Sequence, residues 1–186
     1  VERSKILKKV VPKVLKNTEN FYLYKYVEGE LIADLLNPNE TFQDLLIWCE
    51  KNLWNEIKLD KSNEALFKSE TKKFYFDKTF DRINYFNEEY GYFDRNTKIN
   101  GTAYPKLEEI LNEVDWDDIF DALPCEYHGD LHFENILKTN NGYCLLDWRG
   151  SYGNSTLFGD IYYDFGKLLH GLWLNHKIIR DDHYEI

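Results

Sequence analysis

"EYHGDLHFENIL", from Glu126 to Leu137, concentrates histidine, aspartate, glutamate and asparagine side chains in a short stretch that continues as an apolar run. The run ends in the turn sequence "TNNG", and a second apolar run, "YCLLDW", follows it. Two short β-type runs around Asn-Gly predict a β-hairpin. The hairpin would bring Asp147, at its far end, back toward the loop that contains Asp130 and Asn135.

This polar set is typical of phosphoryl transfer. One carboxylate can accept a proton, while an amide oxygen and a second carboxylate can hold a hard divalent cation through oxygen ligands. Phosphoryl transfer needs these groups because its catalysis is mostly positioning and neutralisation of charge by magnesium.

Two other interpretations of the stretch stay open at this point. Cys125, His128 and His132 have the spacing C-x2-H-x3-H, which suits zinc, although Cys49 and Cys144 each stand alone and offer no second ligand pair. The stretch could also be a polar loop in which one histidine keeps the turn satisfied.

Three linked motifs give the first interpretation a specific form. His128, Asp130 and Asn135 have the spacing H-x-D-x-x-x-x-N, "LLDW" ends the hairpin, and "GDIYYDFGKLLHGL" follows downstream. Together they resemble the motifs of the aminoglycoside phosphotransferase and choline kinase family of small-molecule kinases, which shares its fold with protein kinases. The resemblance implies an α+β, protein-kinase-like fold, with a mostly helical C-terminal lobe and a short catalytic β-hairpin, preceded by a remnant of the N-terminal β lobe. Gly129 stands where protein kinases carry arginine, which argues against control by activation-loop phosphorylation.

The resemblance also implies a role for each matched residue. Asp130 would orient the acceptor hydroxyl and accept its proton, while His128 would anchor the loop and do no chemistry. Asn135 and Asp147 would hold Mg2+ against the phosphates of ATP. His132 and Glu134 lie inside the loop but outside the family's essential positions, so they receive no role.

A literal Asp-Phe-Gly at Asp164, Phe165 and Gly166 offers a competing magnesium ligand. Position favours Asp147, because it ends the hairpin directly after Asn135, whereas Asp164 follows a Gly- and Ser-containing loop and lies in a predicted helix. We therefore expect Asp164 and Asp160 to brace the catalytic loop from behind. Asp160 could equally be a helix N-cap, and the two roles can coexist.

The front of the chain resembles the end of a nucleotide-binding lobe. "VPKVLK" and "FYLYKYVEGE" predict two strands around "NTEN", the second similar to a kinase hinge in which the backbone of Lys25 and Val27 would contact adenine. An ordinary edge hairpin is the alternative. We assign residues 1–27 to the lobe remnant and hinge, and residues 28–186 to the catalytic and substrate lobe. No Gly-rich loop or strand lysine for the phosphates of ATP is found, so the chain alone is expected to be inactive.

The segment between hinge and loop is predicted to be helical. "TFQDLLIWCEKNLWNEI" predicts a helix with Thr41 as its cap, and "PKLEEILNEVDWDDIFDAL" predicts a second one opened by Pro105. Between them a long aromatic-rich segment carries Lys78 and Arg82. These two cations could contact a phosphate on a phosphorylated substrate or could simply belong to a solvated helix face.

Composition limits the possible functions. A net charge of −10 makes the chain a poor general binder of nucleic acid or anionic membrane. Three scattered cysteines predict no disulfide framework and indicate a reducing, cytoplasmic compartment. No apolar stretch approaches the ~20 residues of a membrane span.

The combined interpretation is an ATP-dependent phosphotransferase that moves the γ-phosphate to a hydroxyl of a small molecule. The family's acceptors include sugars, amino alcohols and aminoglycosides. The run from "LLDWRGSYG" to "FGDIYYDFGKLLHGL" resembles members that accompany bacterial surface-polysaccharide synthesis. A catalytically silent, kinase-like binding module is the alternative, although such modules usually lose one of the three oxygen ligands. A protein-kinase branch would need an activation segment ending in Ala-Pro-Glu, which "RGSYGNSTLFGD" lacks.

Overall fold

Small antiparallel sheets alternate with helices in the computed structural model, which describes residues 2–35 and 38–174. The helices are α1 (Glu2–Ile6), α2 (Pro38–Asn52), α3 (Lys61–Lys72), α4 (Lys78–Tyr90), α5 (Leu107–Asn112), α6 (Trp116–Phe120) and α7 (Ile161–Trp173). The strands are β1 (Val14–Asn17), β2 (Tyr22–Tyr24), β3 (Glu30–Leu31), β4 (Thr97–Ile99), β5 (Thr102–Tyr104), β6 (Pro124–Cys125), β7 (Ile136–Thr139), β8 (Gly142–Leu145) and β9 (Gly159–Asp160). This mixture of helices and small sheets agrees with the predicted α+β class.

The sheet that positions the candidate site has the order β3-β7-β8. Its hairpin, β7–β8, is the one predicted around "TNNG", and β3 adds an outer strand by pairing Leu31 with Leu137. Strands β1 and β2 form a separate hairpin, as predicted for the front of the chain. The segment between β2 and β3 therefore joins this front hairpin to the sheet that carries the candidate catalytic loop.

The turn of the β7–β8 hairpin differs in one detail from the prediction. Thr139 pairs with Gly142, so Asn140 and Asn141 form the turn and Gly142 already belongs to the strand. Gly142 has a φ of 110°, which an L side chain rarely adopts. A Cβ there would also lie 2.6 Å from Nε1 of Trp48, so both backbone conformation and packing require glycine.

Helix α2 begins earlier than predicted. Pro38 occupies its first position, where proline is favoured because its fixed φ suits a helix and its missing N–H costs nothing. Thr41 is consequently a buried residue inside the helix, and the expectation that it caps the helix is wrong. The helix ends at Asn52, and the chain then turns so that Leu53 and Trp54 follow it outside the helix.

The segment from Leu107 to Phe120 is two short helices, where the sequence predicted one. The break occurs because Asp115 accepts a hydrogen bond from the Asp118 N–H at 3.1 Å and so caps a new helix, α6. Pro105 does not open α5 either. The carboxylate of Asp94 accepts from the free N–H groups of Leu107 and Glu108 at 2.8 and 2.9 Å.

Two hydrophobic clusters enclose the candidate catalytic loop. The first cluster is formed by residues that follow α1 together with residues of α2, the β7–β8 hairpin and α7. It includes Val10, Leu45, Cys49, Leu131, Ile136, Leu145 and Leu168. The second is mainly aromatic and contains Phe67, Cys125, Tyr127, Tyr152 and Phe158. Because Tyr127 and Leu131 are both fully buried, one in each cluster, the loop between them is fixed at both ends. Burial of an aliphatic side chain such as Leu131 stabilises the fold by about 1.5–3 kcal/mol.

Cys49, Cys125 and Cys144 are buried, and each has a free thiol in the structure. Within the ranges that the structure describes, none of the helices has the length and apolar character needed to cross a membrane.

Candidate active site

The candidate catalytic loop is held from behind by Asp164, in the first turn of α7. Its two carboxylate oxygens accept from the backbone N–H groups of His128 and Gly129, each at 2.7 Å. The indole Nε1 of Trp54 donates to the same carboxylate at 3.1 Å. Burial raises the pKa of Asp164 to about 6, although these donors act in the opposite direction. The predicted brace is therefore present in the structure.

Asp160 combines both of the roles considered for it. It caps α7 by accepting from the Tyr162 N–H at 3.2 Å, and it also accepts from the Leu123 N–H at 3.1 Å and the Tyr75 hydroxyl at 2.5 Å. Burial raises the pKa of this carboxyl. Asp160 thus connects the start of α7 to the segment that leads into the candidate catalytic loop.

His128 is fully buried and serves as a structural anchor in the loop. Its Nδ1 accepts from the Asp130 N–H at 3.3 Å, and its carbonyl accepts from the Arg149 N–H at 3.0 Å. Burial lowers the pKa of His128 to about 3, so the ring is neutral at physiological pH. This environment suits the anchoring role and does not suit a proton carrier.

Gly129 shows why the loop cannot carry a side chain at this position. It has a φ of 88°, and a Cβ there would lie 2.6 Å from Cβ of Arg149 and 2.7 Å from the ring of Tyr127. Arg149 therefore packs directly against Gly129, and this contact leaves no space for a side chain.

Asp130 lies at the accessible edge of the loop, with its side chain 32% exposed. Nζ of Lys167 lies 2.8 Å from one carboxylate oxygen, and Nε2 of His132 lies 3.5 Å from the other. The hydrogen bond from His132 is the largest cause that lowers the pKa of Asp130, and Lys167 acts in the same direction. The group is therefore an ionised carboxylate over the physiological range.

Asn135 is oriented by Asp130. Its Nδ2 donates to the carbonyl of Asp130 at 2.9 Å, and lies 3.4 Å from Oδ2 of Asp130 and 3.2 Å from Nε2 of His132. Because Asp130 presents only acceptors, the amide nitrogen has to face it, which turns the amide oxygen of Asn135 toward other partners.

Asp147 follows β8 and is placed beside Asn135 by the hairpin. The Leu146 N–H donates to the Asn135 carbonyl at 2.8 Å, so Asp147 is one residue beyond that contact. Asp147 is exposed and has a φ of 52°, a left-handed conformation that is uncommon outside glycine. Such strain concentrates at functional positions. The structure thus brings Asp130, Asn135 and the Asp147 backbone together at the end of the hairpin.

The predicted hinge residues are not part of this cluster. Lys25 and Val27 lie on the segment between β2 and β3, where the Lys25 N–H donates to the Lys13 carbonyl at 2.9 Å. Their contact with adenine stays a prediction. The front hairpin does reach the site through Tyr22, whose ring centre lies 5.6 Å from that of Trp148.

Two further residues contact the loop without having been predicted. Arg3, on α1, is buried, donates to the Tyr127 carbonyl and lies 4.1 Å from the centre of the Tyr127 ring. Lys167 follows Asp164 by three residues on α7, so the two side chains share one helix face. The three-residue spacing is visible in the sequence and could have indicated that Lys167 faces the same loop as Asp164. In the structure Asp164 binds the loop backbone, and Lys167 contacts the carboxylate of Asp130.

The zinc interpretation finds no support in the site. Over the described part of the chain, His, Cys, Asp and Glu side chains form no group of three or more that could hold a metal ion. Burial also raises the pKa of the Cys125 thiol, which disfavours the thiolate that zinc requires.

No family model, curated protein or solved structure matches the chain.

Proposed function

We propose that the protein is an ATP-dependent phosphotransferase that moves the γ-phosphate to a hydroxyl of a small molecule, such as a sugar, an amino alcohol or an aminoglycoside. The observation that carries the proposal is the contact between Asp130 and Asn135 at the end of the β7–β8 hairpin, with Asp147 beside them. A carboxylate next to two candidate oxygen ligands is the arrangement that phosphoryl transfer requires.

In this mechanism Asp130 orients the acceptor hydroxyl and takes its proton. The acceptor oxygen forms a bond to the γ-phosphorus as the bond from that phosphorus to the leaving oxygen of ADP breaks. His128 takes no proton, because burial keeps its ring neutral. Asp164 and Asp160 act by holding the backbone of the loop and its approach.

The residues present fit a magnesium ion. The amide nitrogen of Asn135 is used by Asp130, which leaves its oxygen for a ligand, and the exposed carboxylate of Asp147 supplies a second hard oxygen. Magnesium bound there would neutralise charge on the phosphates of ATP. The backbone of Lys25 and Val27 would contact the adenine from the segment between β2 and β3.

The finer assignments belong to the same proposal. The fold would be protein-kinase-like, with residues 1–27 as the remnant of the nucleotide lobe and residues 28–186 as the catalytic and substrate lobe. ATP as donor places the activity in the cytoplasm. A link to bacterial surface-polysaccharide synthesis would supply a sugar acceptor. The proposal includes no nucleic acid or membrane as a partner.

One contact favours the second candidate, a catalytically silent binding module. The ion pair between Lys167 and Asp130, at 2.8 Å, neutralises the carboxylate that would accept the proton. In an active enzyme the acceptor hydroxyl has to compete with this ammonium for Asp130.

Because the chain alone is expected to be inactive, the screen uses the intact protein, with any further part of the nucleotide lobe that it contains, and ADP release against sugars, amino alcohols and aminoglycosides then separates the two candidates. For an enzyme, Asp130→Asn should reduce turnover by about 10²-fold or more, because general-base catalysis contributes that much, while ATP affinity changes little. Asp117→Asn, an exposed carboxylate on α6, is the matched control. An Asp130→Asn protein with wild-type turnover would exclude the proposed base.

A further inference from the structure

Three cations from separate parts of the chain surround one pair of aromatic rings beside the catalytic loop. The rings of Phe74 and Tyr163 meet edge to face, with centres 4.7 Å apart. Nζ of Lys78 lies 4.4 Å from the centre of the Phe74 ring, and Cζ of Arg149 lies 5.0 Å from the same centre. Lys167 and Arg149 lie 5.8 and 5.7 Å from the centre of the Tyr163 ring. We call Lys78, Arg149 and Lys167 the cationic cluster.

The backbone beside the cationic cluster contains a short π-helical segment. Phe74 belongs to a π-helical segment, Lys73–Asp77, between α3 and α4. Such segments are rare and occur often at functional sites, because the extra residue in the turn redirects side chains. Here the segment directs Phe74 toward Tyr163, and it directs Tyr75 to the carboxylate of Asp160.

Among the described residues, Asp130 is the one carboxylate that forms an ion pair with the cluster. In residues 2–35 and 38–174 no carboxylate forms an ion pair with Lys78 or Arg149, and the buried Nε of Arg149 has no hydrogen-bond acceptor. Burial, followed by the charges of Arg149, Arg82 and Lys167, lowers the pKa of Lys78 to about 8. Burial and repulsion between like charges make it unfavourable to hold these cations together. Their presence at one place in a chain of net charge −10 indicates a site for an anion.

The cluster is also attached to the reacting groups. Lys167 contacts the Asp130 carboxylate at 2.8 Å, and the Arg149 N–H donates to the His128 carbonyl at 3.0 Å. Arg149 and Lys167 both lie close to the Tyr163 ring, so the cationic cluster begins at the lysine that contacts the candidate base.

We propose that the acceptor carries an anionic group, a phosphate or a carboxylate, which Arg149 and Lys78 bind while its hydroxyl meets Asp130. This inference rests on the proposed function and narrows its substrate class to anionic sugars or similar compounds. Arginine supplies a planar pair of donors that matches a phosphate or carboxylate, and lysine adds a point charge. Cationic amino alcohols and aminoglycosides would be repelled by the same cluster.

The chemical step is the one already given. The acceptor O–H bond breaks and its proton passes to Asp130, the oxygen–phosphorus bond forms, and ADP leaves. The anionic group of the acceptor is unchanged, and its contribution is to place the hydroxyl.

Steady-state kinetics of the intact protein test the inference with glucose 6-phosphate, glucuronic acid and glucose as acceptors. We expect one of the two anionic sugars to react with a KM at least about 10-fold below that of glucose, because a charge-assisted contact has about that effect on affinity. Comparison of the two anionic sugars distinguishes a phosphate site from a carboxylate site. Equal KM values for all three sugars would overturn the proposal.

Variants locate the effect on the cluster. Lys78→Gln and Arg149→Gln should each raise the acceptor KM about 10-fold or more, with the KM for ATP within about two-fold, and Arg149→Lys should recover part of the loss. Lys61→Gln, an exposed lysine at the start of α3, is the matched control. If Arg149→Gln fails to fold, Lys78→Gln carries the test, since Lys78 is only half-buried. A rise in the KM for ATP instead would assign the cluster to the nucleotide phosphates and overturn the proposal.

A binding measurement separates failure of this inference from failure of the proposed function. Calorimetry at low ionic strength with inorganic phosphate should show binding to the wild type that Lys78→Gln weakens and Lys61→Gln leaves unchanged. That result without any phosphoryl transfer would support the anion site and remove the proposed enzyme. Transfer to neutral or cationic acceptors, with KM unchanged by Lys78→Gln, would keep the enzyme and remove the anion site.

Discussion

Asp147 and Asp164 are competing candidates for the magnesium carboxylate, and replacing each with asparagine separates their roles. Asp164 belongs to the literal Asp-Phe-Gly but is fully buried and accepts from two backbone N–H groups and an indole. Asp147 is exposed, ends the hairpin and keeps its carboxylate available. We therefore expect Asp164→Asn to reduce stability and Asp147→Asn to reduce metal-dependent activity.

The magnitude at Asp164 follows from two opposing effects. Asparagine keeps one oxygen acceptor but directs an NH2 group at a backbone N–H that had been bound at 2.7 Å. Loss of a charge-assisted hydrogen bond costs about 1.5–3 kcal/mol, and an unpaired buried donor costs about 1–3 kcal/mol more. In the other direction, burial raises the pKa of Asp164 to about 6, so asparagine offsets part of this loss because it places no charge in the buried site. The donor-to-donor contact is the larger effect, so we expect a net loss of about 1–2 kcal/mol at pH 7.

Thermal melts and metal titrations give the readout. For a chain of this size such a loss lowers Tm by roughly 2–8 °C, and added metal should not restore activity. Asp147→Asn should change stability by less than about 0.5 kcal/mol, because its side chain is exposed, while activity falls and partly recovers at high magnesium or with manganese. Metal-dependent rescue of Asp164→Asn, together with a destabilised Asp147→Asn, would refute the assignment and move the metal site to α7.

Two further predictions concern the loop and its brace. The pKa of Asp164 in the folded state is raised above 3.8, so its protonation stabilises the fold below about pH 4, and this stabilisation is lost as pH rises through about 6. In chemical denaturation, Asp164→Asn should therefore destabilise the protein more near pH 4.5 than at pH 7. An equal loss of stability at both pH values would contradict the raised pKa. Gly129→Ala should destabilise the protein by at least about 2 kcal/mol, because its Cβ would collide with Arg149 and Tyr127, whereas Gly166→Ala, in open space on α7, should stabilise it by about 0.5–1 kcal/mol. A destabilising Gly166→Ala would mean that the glycine of the literal Asp-Phe-Gly has a role beyond its helix.

Local chemistry explains what the sequence predicted correctly. The β7–β8 hairpin follows from two β-type runs separated by a turn sequence, and the cap of α7 follows from an aspartate whose side chain can bind a free N–H. The same rule would have found the hairpin β4–β5, which we did not predict. Its turn residues, Asn100 and Gly101, have φ values of 49° and 81°, the left-handed pair that Asn-Gly favours.

The errors arose where a local signal had a stronger competitor. Thr41 has the side chain of a cap, but Pro38 starts α2 a turn earlier. Residues Leu107 to Phe120 have helical spacing throughout, but Asp115 caps a second helix and so divides the segment. In both cases the sequence indicated that a helix exists and misplaced its boundary.

Tertiary packing accounts for the features that no local pattern reveals. Lys78, Arg149 and Lys167 are distant in sequence, and the fold brings them to one pair of rings where Phe74 packs against Tyr163. The sequence left Lys78 as either a phosphate contact or a solvated residue. Only the fold shows that Arg149 and Lys167 lie at the same pair of rings as Lys78.

The segment Glu126–Leu137 is polar because this loop passes between two hydrophobic clusters. A loop in such a place leaves backbone N–H groups without water, and each needs an acceptor. Asp164 supplies two of these acceptors from α7, the His128 ring supplies one to Asp130, and Asn135 binds the Asp130 carbonyl in return. Since a buried carboxylate is costly without donors and a buried N–H is costly without an acceptor, Asp164 and the loop stabilise each other. Asp130 is therefore held at the accessible edge of a rigid loop, where its carboxylate can meet a substrate.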